Sequence, residues 1–254
     1  MTVNPRIMIA SPTPGMVKTV YMKSVIYTMI DLAQAGVAIR FETVDAADLA
    51  HQRNMLATRF INSDCTHLFF VDSDMMFNEN LCRLMLGHDK PFMGVVATNK
   101  QFHVARVEEA ARRGLTVPEA VLSASDWFAF HPPGQPKLVV ENGIMEVDRV
   151  GFGIVLLSRQ ALTTMIDRGV APQYAYGAEP TYNFFGTRPA EATAGQHIAE
   201  DMSFCNRWKL DCGGRIWALV DTPVYHVGDF GYGGSYFQYL QTMLKLQSQN
   251  EPSR

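Results

Sequence analysis

Hydrophobic positions in the first hundred residues follow two periods in alternation. Short apolar runs predict strands at residues 6–9, 67–71 and 92–97, and a further strand is predicted at 37–44. Between them, apolar residues recur at helical spacing, most clearly at Met22, Ile26, Met29 and Ala33 before Gly36 ends the segment. Further helices are predicted at residues 48–61 and from about 78. Strands that alternate with helices favour a mostly parallel α/β sheet covered on both faces.

After residue 100 the pattern is mixed. Helices are predicted at residues 105–113, 158–168 and 200–210, and a last amphipathic helix is predicted around Tyr236 and Leu240. Residues 114–137 have the composition of a loop. Strands predicted at 138–140, 145–157, 215–220 and 224–227 include neighbours close in sequence, which favours an antiparallel addition to the sheet.

Composition and charge exclude several classes of function. With 254 residues, 47% of them hydrophobic, the chain can bury a sizeable core. The net charge of −3 argues against a nucleic-acid partner, which requires a basic surface. The apolar runs are far shorter than the ~20 residues of a membrane helix, and no signal peptide is recognised. Four cysteines without a C-x-x-C pair are typical of thiols in a reducing compartment, so we expect a cytoplasmic protein without an integral membrane segment.

The clearest chemical feature is Asp72-Ser73-Asp74, which directly follows the apolar run at residues 67–71. Ligands of open α/β sheets bind outside the carboxyl ends of the strands, so both carboxylates are expected where a ligand binds. A divalent cation relieves the repulsion between two such carboxylates, and Mg²⁺ or Mn²⁺ also binds diphosphates. An acidic turn is the alternative explanation.

Two later features can join this motif. His226 lies near the end of the strand predicted at 224–227. An imidazole that joins the carboxylates makes a suitable Mn²⁺ site. The alternative is a histidine that is hydrogen-bonded within the core. Glu200 and Asp201 open a predicted helix. Acidic residues there favour the helix dipole and bind free N–H groups, and one of them is also a candidate general base for a hydroxyl.

In this order and spacing, these features resemble GT-A type glycosyltransferases that use nucleotide sugars, especially small bacterial and viral members with inverting chemistry. The resemblance runs from about residue 6 to 235. It implies a Rossmann-like, mostly parallel nucleotide-binding sheet fused to a mixed acceptor-side region. On this basis residues 1–254 form a single GT-A domain, with a nucleotide-sugar-binding half at 1–104 and an acceptor-side half at 105–254 that contains His226 and the last helix.

The resemblance also implies roles for individual residues. The implied donor-binding set is Ser11, Pro12, Thr13, Asp45, Arg53, Asp72, Ser73, Asp74, Gly151 and Gly153. The implied metal ligands are Asp72, Asp74 and His226, with Asp72 alternatively a ribose contact, and the implied catalytic residues are Asp201 and Glu200. Pro12 and Thr13 would line the nucleobase pocket. Arg53 would steady the acidic motif or the donor phosphates, unless it lies on a solvated helix face.

The implied activity is metal-dependent transfer of a sugar from a nucleoside-diphosphate donor, with uracil as the expected base, to a carbohydrate or other hydroxyl acceptor. Asp201 as base implies inversion at the anomeric carbon, and the expected cofactor is Mn²⁺ or Mg²⁺. The alternatives are a non-catalytic or hydrolytic sugar-nucleotide-binding protein and a haloacid-dehalogenase-like phosphatase, which also carries Asp-x-Asp after an apolar strand. In that phosphatase class the motif follows the first strand, whereas at least two predicted strands precede it here.

A glycine-rich segment follows His226. Four of the eight residues at positions 228–235 are glycine, and aromatic residues stand at Phe230, Tyr232 and Tyr236. Such a segment is expected to be mobile and could close over a bound donor as a lid, or simply connect to the last helix.

Overall fold

The computed structural model describes residues 4–130, 138–176, 179–187, 198–228 and 231–248. Among these residues the strands are β1 (Arg6–Thr13), β2 (Ala38–Asp45), β3 (His67–Val71), β4 (Met75–Met76), β5 (Phe92–Val95), β6 (Thr98–Phe102), β7 (Ser125–Trp127), β8 (Ala129–Phe130), β9 (Ile144–Val147), β10 (Arg149–Val150), β11 (Ile154–Ser158), β12 (Gln173–Tyr176), β13 (Glu179–Tyr182), β14 (Ile216–Leu219), β15 (Val224–Val227) and β16 (Gly231–Gly234). The helices are α1 (Thr19–Gln34), α2 (Leu49–Ile61), α3 (Leu81–Gly87), α4 (Val104–Arg112), α5 (Val117–Ser123), α6 (Arg159–Asp167), α7 (Glu200–Asn206) and α8 (Tyr236–Ser248), and α7 continues into a π-helical turn at Arg207–Asp211.

A seven-stranded sheet with the order β2-β1-β3-β11-β5-β14-β9 forms the centre of the molecule. β1 is parallel to β2 and β3, and β5 is parallel to β14. β11 is antiparallel to both β3 and β5, and β9 is antiparallel to β14. Five of the seven strands therefore run in the same direction, with β9 and β11 reversed, and the predicted α/β class with a mostly parallel, Rossmann-like sheet is confirmed.

Apolar residues on the two faces of this sheet form two hydrophobic clusters. In β1, Met8 and Ala10 belong to the cluster that includes α2, whereas Ile7 and Ile9 belong to the cluster beneath α1 and α3. Successive strand residues point to opposite faces, so an uninterrupted apolar run is the expected sequence of a strand buried on both sides. None of the described helices is long and apolar enough to cross a membrane.

A smaller sheet lies where the site residues are found. Its order is β16-β15-β4, and β4 follows the Asp72–Asp74 turn directly. β15 pairs antiparallel with β4, with His226 opposite Met75. This pairing brings the late histidine back to the end of β3.

Several sequence-based expectations were wrong in detail. Residues 138–140 form no strand; instead Glu141 bridges Ile144 across Asn142 and Gly143, which both have positive φ angles. An Asn-Gly pair of this kind is a strong hairpin signal. The segment 145–157, predicted as one strand, contains parts of β9, β10 and β11, and the helix expected from about 78 begins at Leu81.

The loop expected at 114–137 contains a helix. Thr116 and Glu119 form a capping box in which the Glu119 carboxylate accepts from the Thr116 backbone N–H (3.0 Å), and α5 follows. The Thr-x-x-Glu spacing is the sequence signal that predicts such a helix start. The β12–β13 hairpin was likewise not predicted from the sequence.

The glycine-rich segment after His226 includes a strand. Gly231–Gly234 forms β16 and pairs along its whole length with β15. Asp229 and Phe230, which the lid hypothesis includes, lie outside the described residues.

Candidate active site

A cavity of about 200 Å³ opens at the carboxyl ends of β3 and β5. Seven residues that the sequence singled out line it: Arg53, Asp72, Gly151, Gly153, Glu200, Asp201 and His226. They come from both halves of the chain, because β11 inserts between β3 and β5 and Glu200 of α7 pairs with Arg53 of α2. The location is the one that the open α/β architecture favours for a ligand.

Arg53 connects the acidic motif to α7. Its side chain is only 2% exposed, so a solvated helix face, the alternative left open by the sequence, is wrong. Nη2 donates to both carboxylate oxygens of Asp72 (2.8 and 3.0 Å), and Nη1 donates to Oε1 of Glu200 (2.6 Å). The guanidinium also lies over the Phe152 ring, 5.4 Å from its centroid. A buried cation is tolerated here because two carboxylates balance its charge.

Asp74 and His226 form a second charged cluster. Nε2 of His226 lies 3.2 Å from Oδ1 of Asp74, and Nδ1 lies 3.1 Å from the Thr98 carbonyl oxygen. The Lys100 ammonium contacts the other Asp74 oxygen. Burial raises the pKa of Asp74, but the hydrogen bonds from His226 and Lys100 outweigh burial and lower this pKa to about 2. Burial lowers the pKa of His226, but Asp74 outweighs that effect, so the pKa is raised.

The chemistry of this pair fits a divalent cation in part. Asp74 and His226 offer a carboxylate and an imidazole, but no group of three metal-binding side chains converges among the described residues. Both oxygens of Asp72 accept from Arg53, just as both oxygens of Asp74 contact His226 and Lys100, so the role of Asp72 as a metal ligand stays a prediction. A metal would therefore need further ligands, and diphosphate oxygens commonly supply them to Mg²⁺.

Glu200 and Asp201 are neighbours with different surroundings. Glu200 is paired with Arg53, whereas Oδ1 of Asp201 accepts from the backbone N–H of Met202 (2.7 Å). A Cβ placed on Gly151 would lie 3.7 Å from Oδ2 of Asp201, so this oxygen lies beside the glycine in the cavity lining. Burial, followed by the charge of Glu200, raises the pKa of Asp201. Carboxyls with raised pKa values in a cleft are typical of functional sites.

The two glycines flank a buried phenylalanine. Gly151 and Gly153 lie between β10 and β11 rather than inside a strand, so the β-bulge alternative does not apply. The Gly153 carbonyl accepts from the Asp72 N–H (2.9 Å), and a Cβ on Gly153 would lie 3.2 Å from the Met75 sulfur. Gly153 thus allows β11 to approach the acidic turn closely.

The predicted nucleobase residues lie together, but apart from the cavity. Ser11 is fully buried and accepts a hydrogen bond from the Tyr21 hydroxyl, so a direct donor contact does not fit it. Pro12 is buried, and Thr13, at the end of β1, is opposite the exposed Asp45 at the end of β2. None of these four described residues lines the cavity.

Ser73 also lies outside the cavity lining, and its carbonyl faces the backbone N–H of Lys18 (3.4 Å). Nζ of Lys18 in turn donates to the Gly228 carbonyl (3.2 Å). Lys18 and Lys100 therefore add two lysines beside the acidic turn, and neither was predicted from the sequence. Neither carries a local signal, because each reaches the site only through tertiary packing.

No protein-family model and no curated protein sequence matches the chain. Solved structures do match, at low identity. A197 from STIV is 16% identical, over 92% of this chain and 91% of that protein, with a TM-score of 0.50. A Drosophila β-1,4-galactosyltransferase 7 variant, crystallised with manganese, UDP-Gal and xylobiose, is 15% identical over 91% of this chain and 70% of that one, with a TM-score of 0.41.

UDP-glucose pyrophosphorylase in complex with UDP-glucose is 10% identical over 98% of this chain and 100% of that one, with a TM-score of 0.42. At such identities the likeness concerns the fold. The solved structures that match thus include a glycosyltransferase, as the predicted resemblance implies.

Proposed function

We propose that the chain is a glycosyltransferase that moves a sugar from a nucleoside diphosphate, with uracil as the base, to the hydroxyl of a carbohydrate or other acceptor. One observation carries the proposal. A single cavity at the carboxyl end of the central sheet is lined by Asp72 of the acidic turn, by its buried partner Arg53 and by a carboxyl, Asp201, with a raised pKa. His226, which contacts Asp74, also lines it. Such a cavity offers separate places for a diphosphate and for an attacking hydroxyl.

The donor would lie along the strand ends of residues 1–104. Thr13 and Asp45 are adjacent at the ends of β1 and β2, which suits contacts to the base or ribose. Asp74 and His226 would hold Mn²⁺ or Mg²⁺ together with the diphosphate. When bound, the ion neutralises the charge that develops on the leaving diphosphate. Lys18 and Lys100, already beside the turn, add positive charge for the phosphate oxygens.

Residues 105–254 would bind the acceptor and supply the base. The acceptor hydroxyl oxygen forms the new bond to the anomeric carbon, while the bond from that carbon to the diphosphate oxygen breaks. Asp201 takes the hydroxyl proton, and its raised pKa brings it closer to the value that proton transfer at neutral pH requires. Attack from the side opposite the diphosphate inverts the anomeric configuration.

Glu200 is supported in a different role. Its carboxylate is paired with Arg53, which also holds Asp72, so Glu200 would position the arginine rather than accept a proton. Fixed positions of donor and acceptor groups lower the barrier by aligning the reacting atoms.

The deciding experiment is a product analysis with UDP-sugars, Mn²⁺ and a panel of sugar acceptors. A glycosyltransferase releases UDP and forms a glycoside, whose anomeric configuration NMR determines. Release of UDP and free sugar with every acceptor would indicate a hydrolase, and inorganic phosphate from phosphomonoesters would indicate a phosphatase. Formation of UDP-sugar from UTP and a sugar phosphate would indicate a nucleotidyltransferase. Binding without any product would leave a sugar-nucleotide-binding protein.

A further inference from the structure

The outer strand of the central sheet, β2, has a free edge of unusual length. β2 is eight residues long and pairs with β1 at every position, and no described strand pairs with its other side. It contains no proline, glycine or lysine. Proteins normally protect a sheet edge with short strands, prolines, lysines or bulges, because an open edge pairs with other strands.

The hydrogen-bonding direction of β2 follows from that of β1. The Arg6 carbonyl accepts from the Thr66 N–H (2.7 Å), so the backbone of Arg6 faces β3. Backbone groups of successive strand residues point to alternate sides, so Ile7 faces β2. Ile7 is opposite Ile39 in the parallel register. Its backbone N–H and C=O groups therefore form hydrogen bonds with the backbones of Ala38 and Arg40, the residues on either side of Ile39.

This register leaves the backbone N–H and C=O groups of Ile39, Phe41 and Thr43 on the free side. The Thr43 carbonyl already accepts from Nη1 of Arg59 (3.3 Å) and has a second lone pair for another donor. In an antiparallel pair, two residues that face each other in this way exchange both of their hydrogen bonds. A second copy of the same strand could thus bond to all three residues if a two-fold axis passed at Phe41. Phe41 would then face Phe41 of the second copy, and Ile39 would face Thr43.

Charges on β2 favour this axis over its neighbours. Arg40 and Glu42 flank Phe41 and are paired within the strand (Nε to Oε1, 2.8 Å). An axis at Phe41 places each Arg40 opposite Glu42 of the second copy, whereas an axis at either charged residue places like charges opposite each other. Opposite charges across two strands stabilise the pair, and like charges destabilise it.

An apolar helix face extends the same surface. Met29 and Ile39 pack against the same hydrophobic cluster, so α1 covers the face of the sheet to which Ile39 and Phe41 point. Met22 and Ile26 lie on the side of α1 that Met29 shares, and they are 44% and 45% exposed, while Phe41 is 43% exposed. The opposite side of α1 is occupied by α3, through the Asp31–Arg83 pair.

We propose that two copies of the chain associate through antiparallel pairing of their β2 strands about Phe41, with the two α1 helices side by side above the joined sheet. In this arrangement both helices lie on one face, because a two-fold axis at an antiparallel pair is perpendicular to the sheet. The strand supplies hydrogen bonds and register, and the helix face supplies apolar area. A stable interface buries about 800 Å² on each partner, more than one strand edge provides.

The test begins with the mass of the protein in solution. Sedimentation velocity at micromolar concentration should give about twice the 28.4 kDa mass of the chain. Arg40→Glu and Glu42→Arg should each lower the dimer affinity by at least ~10-fold, because each variant places like charges opposite each other. Arg112→Glu, which reverses an exposed arginine on α4, is the matched control and should leave the dimer intact.

Mixing the two variants separates dimerisation from folding. A chain with two carboxylates at positions 40 and 42 then faces a chain with two guanidinium groups, so native mass spectrometry should detect mainly the mixed dimer. A folding defect in one variant would not be repaired by adding the other. A monomeric wild-type protein, a dimer that persists in both single variants, or a mixture that stays monomeric would each overturn the proposal.

Hydrogen exchange of the wild-type protein gives an answer that needs no variant. The amides of Ile39, Phe41 and Thr43 should exchange slowly at high protein concentration and faster on dilution, since they bond only within the dimer. Fast exchange of these amides at every concentration would also overturn the pairing.

Discussion

At the scale of single residues, the contrast between Asp201 and Glu200 is the most informative feature of the site. Both open α7, yet Glu200 is paired with Arg53, whereas Asp201 faces the cavity with a raised pKa. A carboxylate without an ion pair is the better proton acceptor of the two. Their roles can therefore be separated by paired substitutions.

Asp201→Asn is expected to lower kcat by ~10²–10⁴-fold, because the amide cannot take the acceptor proton. Donor affinity should change little, since the Asn oxygen can still accept from the Met202 N–H. Steady-state kinetics with a UDP-sugar measure both quantities. Glu200→Gln is the comparison and should act mainly on stability and KM. Near-normal turnover of Asp201→Asn would remove this residue as the base.

The same substitution should stabilise the protein at neutral pH. The pKa of Asp201 is raised above its unfolded value of about 3.9, so the fold favours the protonated form. The stability that comes from this preference is fully present at pH values below the unfolded-state pKa of Asp201. It is lost as the pH rises through the raised folded-state pKa. Asn carries no charge, so Asp201→Asn should have a higher free energy of unfolding than the wild type at pH 7.

Urea denaturation at pH 7 and at about pH 3.5 measures this difference, which should shrink at the lower pH, where the wild-type carboxyl is largely protonated. Asp64→Asn, at an exposed carboxylate, is the control and should show no such gain. If the two variants behaved alike, burial of Asp201 would not be a source of strain.

Metal affinity should depend on Asp74 and His226. Asp74→Asn should weaken Mn²⁺ binding in the presence of UDP by at least ~10-fold, and His226→Ala should raise the Mn²⁺ concentration required. Lys100→Met should act in the opposite direction, because it removes an ammonium that competes for the Asp74 carboxylate. Calorimetric Mn²⁺ titrations of EDTA-treated protein give these constants without any activity measurement.

The control for the metal prediction is Asp126→Asn. Asp126 also pairs with a histidine, His103, at 2.8 Å, but this pair joins the N-terminus of α4 to β7 and includes no residue of the acidic turn. Equal Mn²⁺ affinities for Asp126→Asn and Asp74→Asn would show that the ion binds elsewhere.

At the scale of secondary-structure elements, α2 organises the site. Asp48 caps its N-terminus by accepting from the His51 N–H (2.6 Å), and the helix then carries Arg53 beneath the cavity. One face of α2 packs on β1 through Leu56 and Phe60. The rigid helix thus fixes where the guanidinium meets the carboxylates from β3 and α7.

Arg53→Leu should cost about 3–5 kcal/mol of unfolding free energy, because it leaves two partly buried carboxylates without their cation. Arg59→Leu on the same helix is the matched control. Its exposed ion pair with Glu42 (3.3 Å) should contribute at most about 1 kcal/mol. Denaturant titrations of both variants measure the difference, and equal losses would contradict the central role of Arg53.

At the scale of the whole molecule, the two halves expected at 1–104 and 105–254 contribute to one sheet. β9, β11 and β14 come from the second half, and β11 lies between β3 and β5 of the first. The cavity is lined from both sides of that boundary. A ligand bound in it should therefore stabilise the fold as a unit.

UDP with Mn²⁺ should raise Tm by about 5–10 °C when UDP is present at 100 times its Kd. Binding to the folded state alone adds about 2.7 kcal/mol at that ratio, and each kcal/mol shifts Tm by roughly 2–4 °C in a chain of this size. Differential scanning fluorimetry measures the shift, which should be smaller with EDTA. Absence of a shift with any nucleoside diphosphate would contradict a nucleotide-sugar site.

The sequence by itself determined the position of the acidic turn and, in the first half, the order of the helices and of the strands that enter the central sheet. The short strands β4 and β6 were not predicted. Consecutive apolar residues at 67–71 require a strand buried on both faces, and Asp72 must then lie at its end. Both are local consequences of the side-chain period. The Asn142-Gly143 hairpin and the Thr116–Glu119 capping box also have local sequence signals. The sequence therefore determined both of them, although they were not predicted.

Only the tertiary structure decided which distant residues meet. The Arg53–Glu200 ion pair, the contact of Asp74 with His226 and the approach of Lys100 join segments far apart in the chain. No spacing predicts them, because they depend on β11 entering between β3 and β5 and on β15 pairing with β4. Strand pairing is set by long-range packing, whereas the periods in the sequence report only which face of each element is buried.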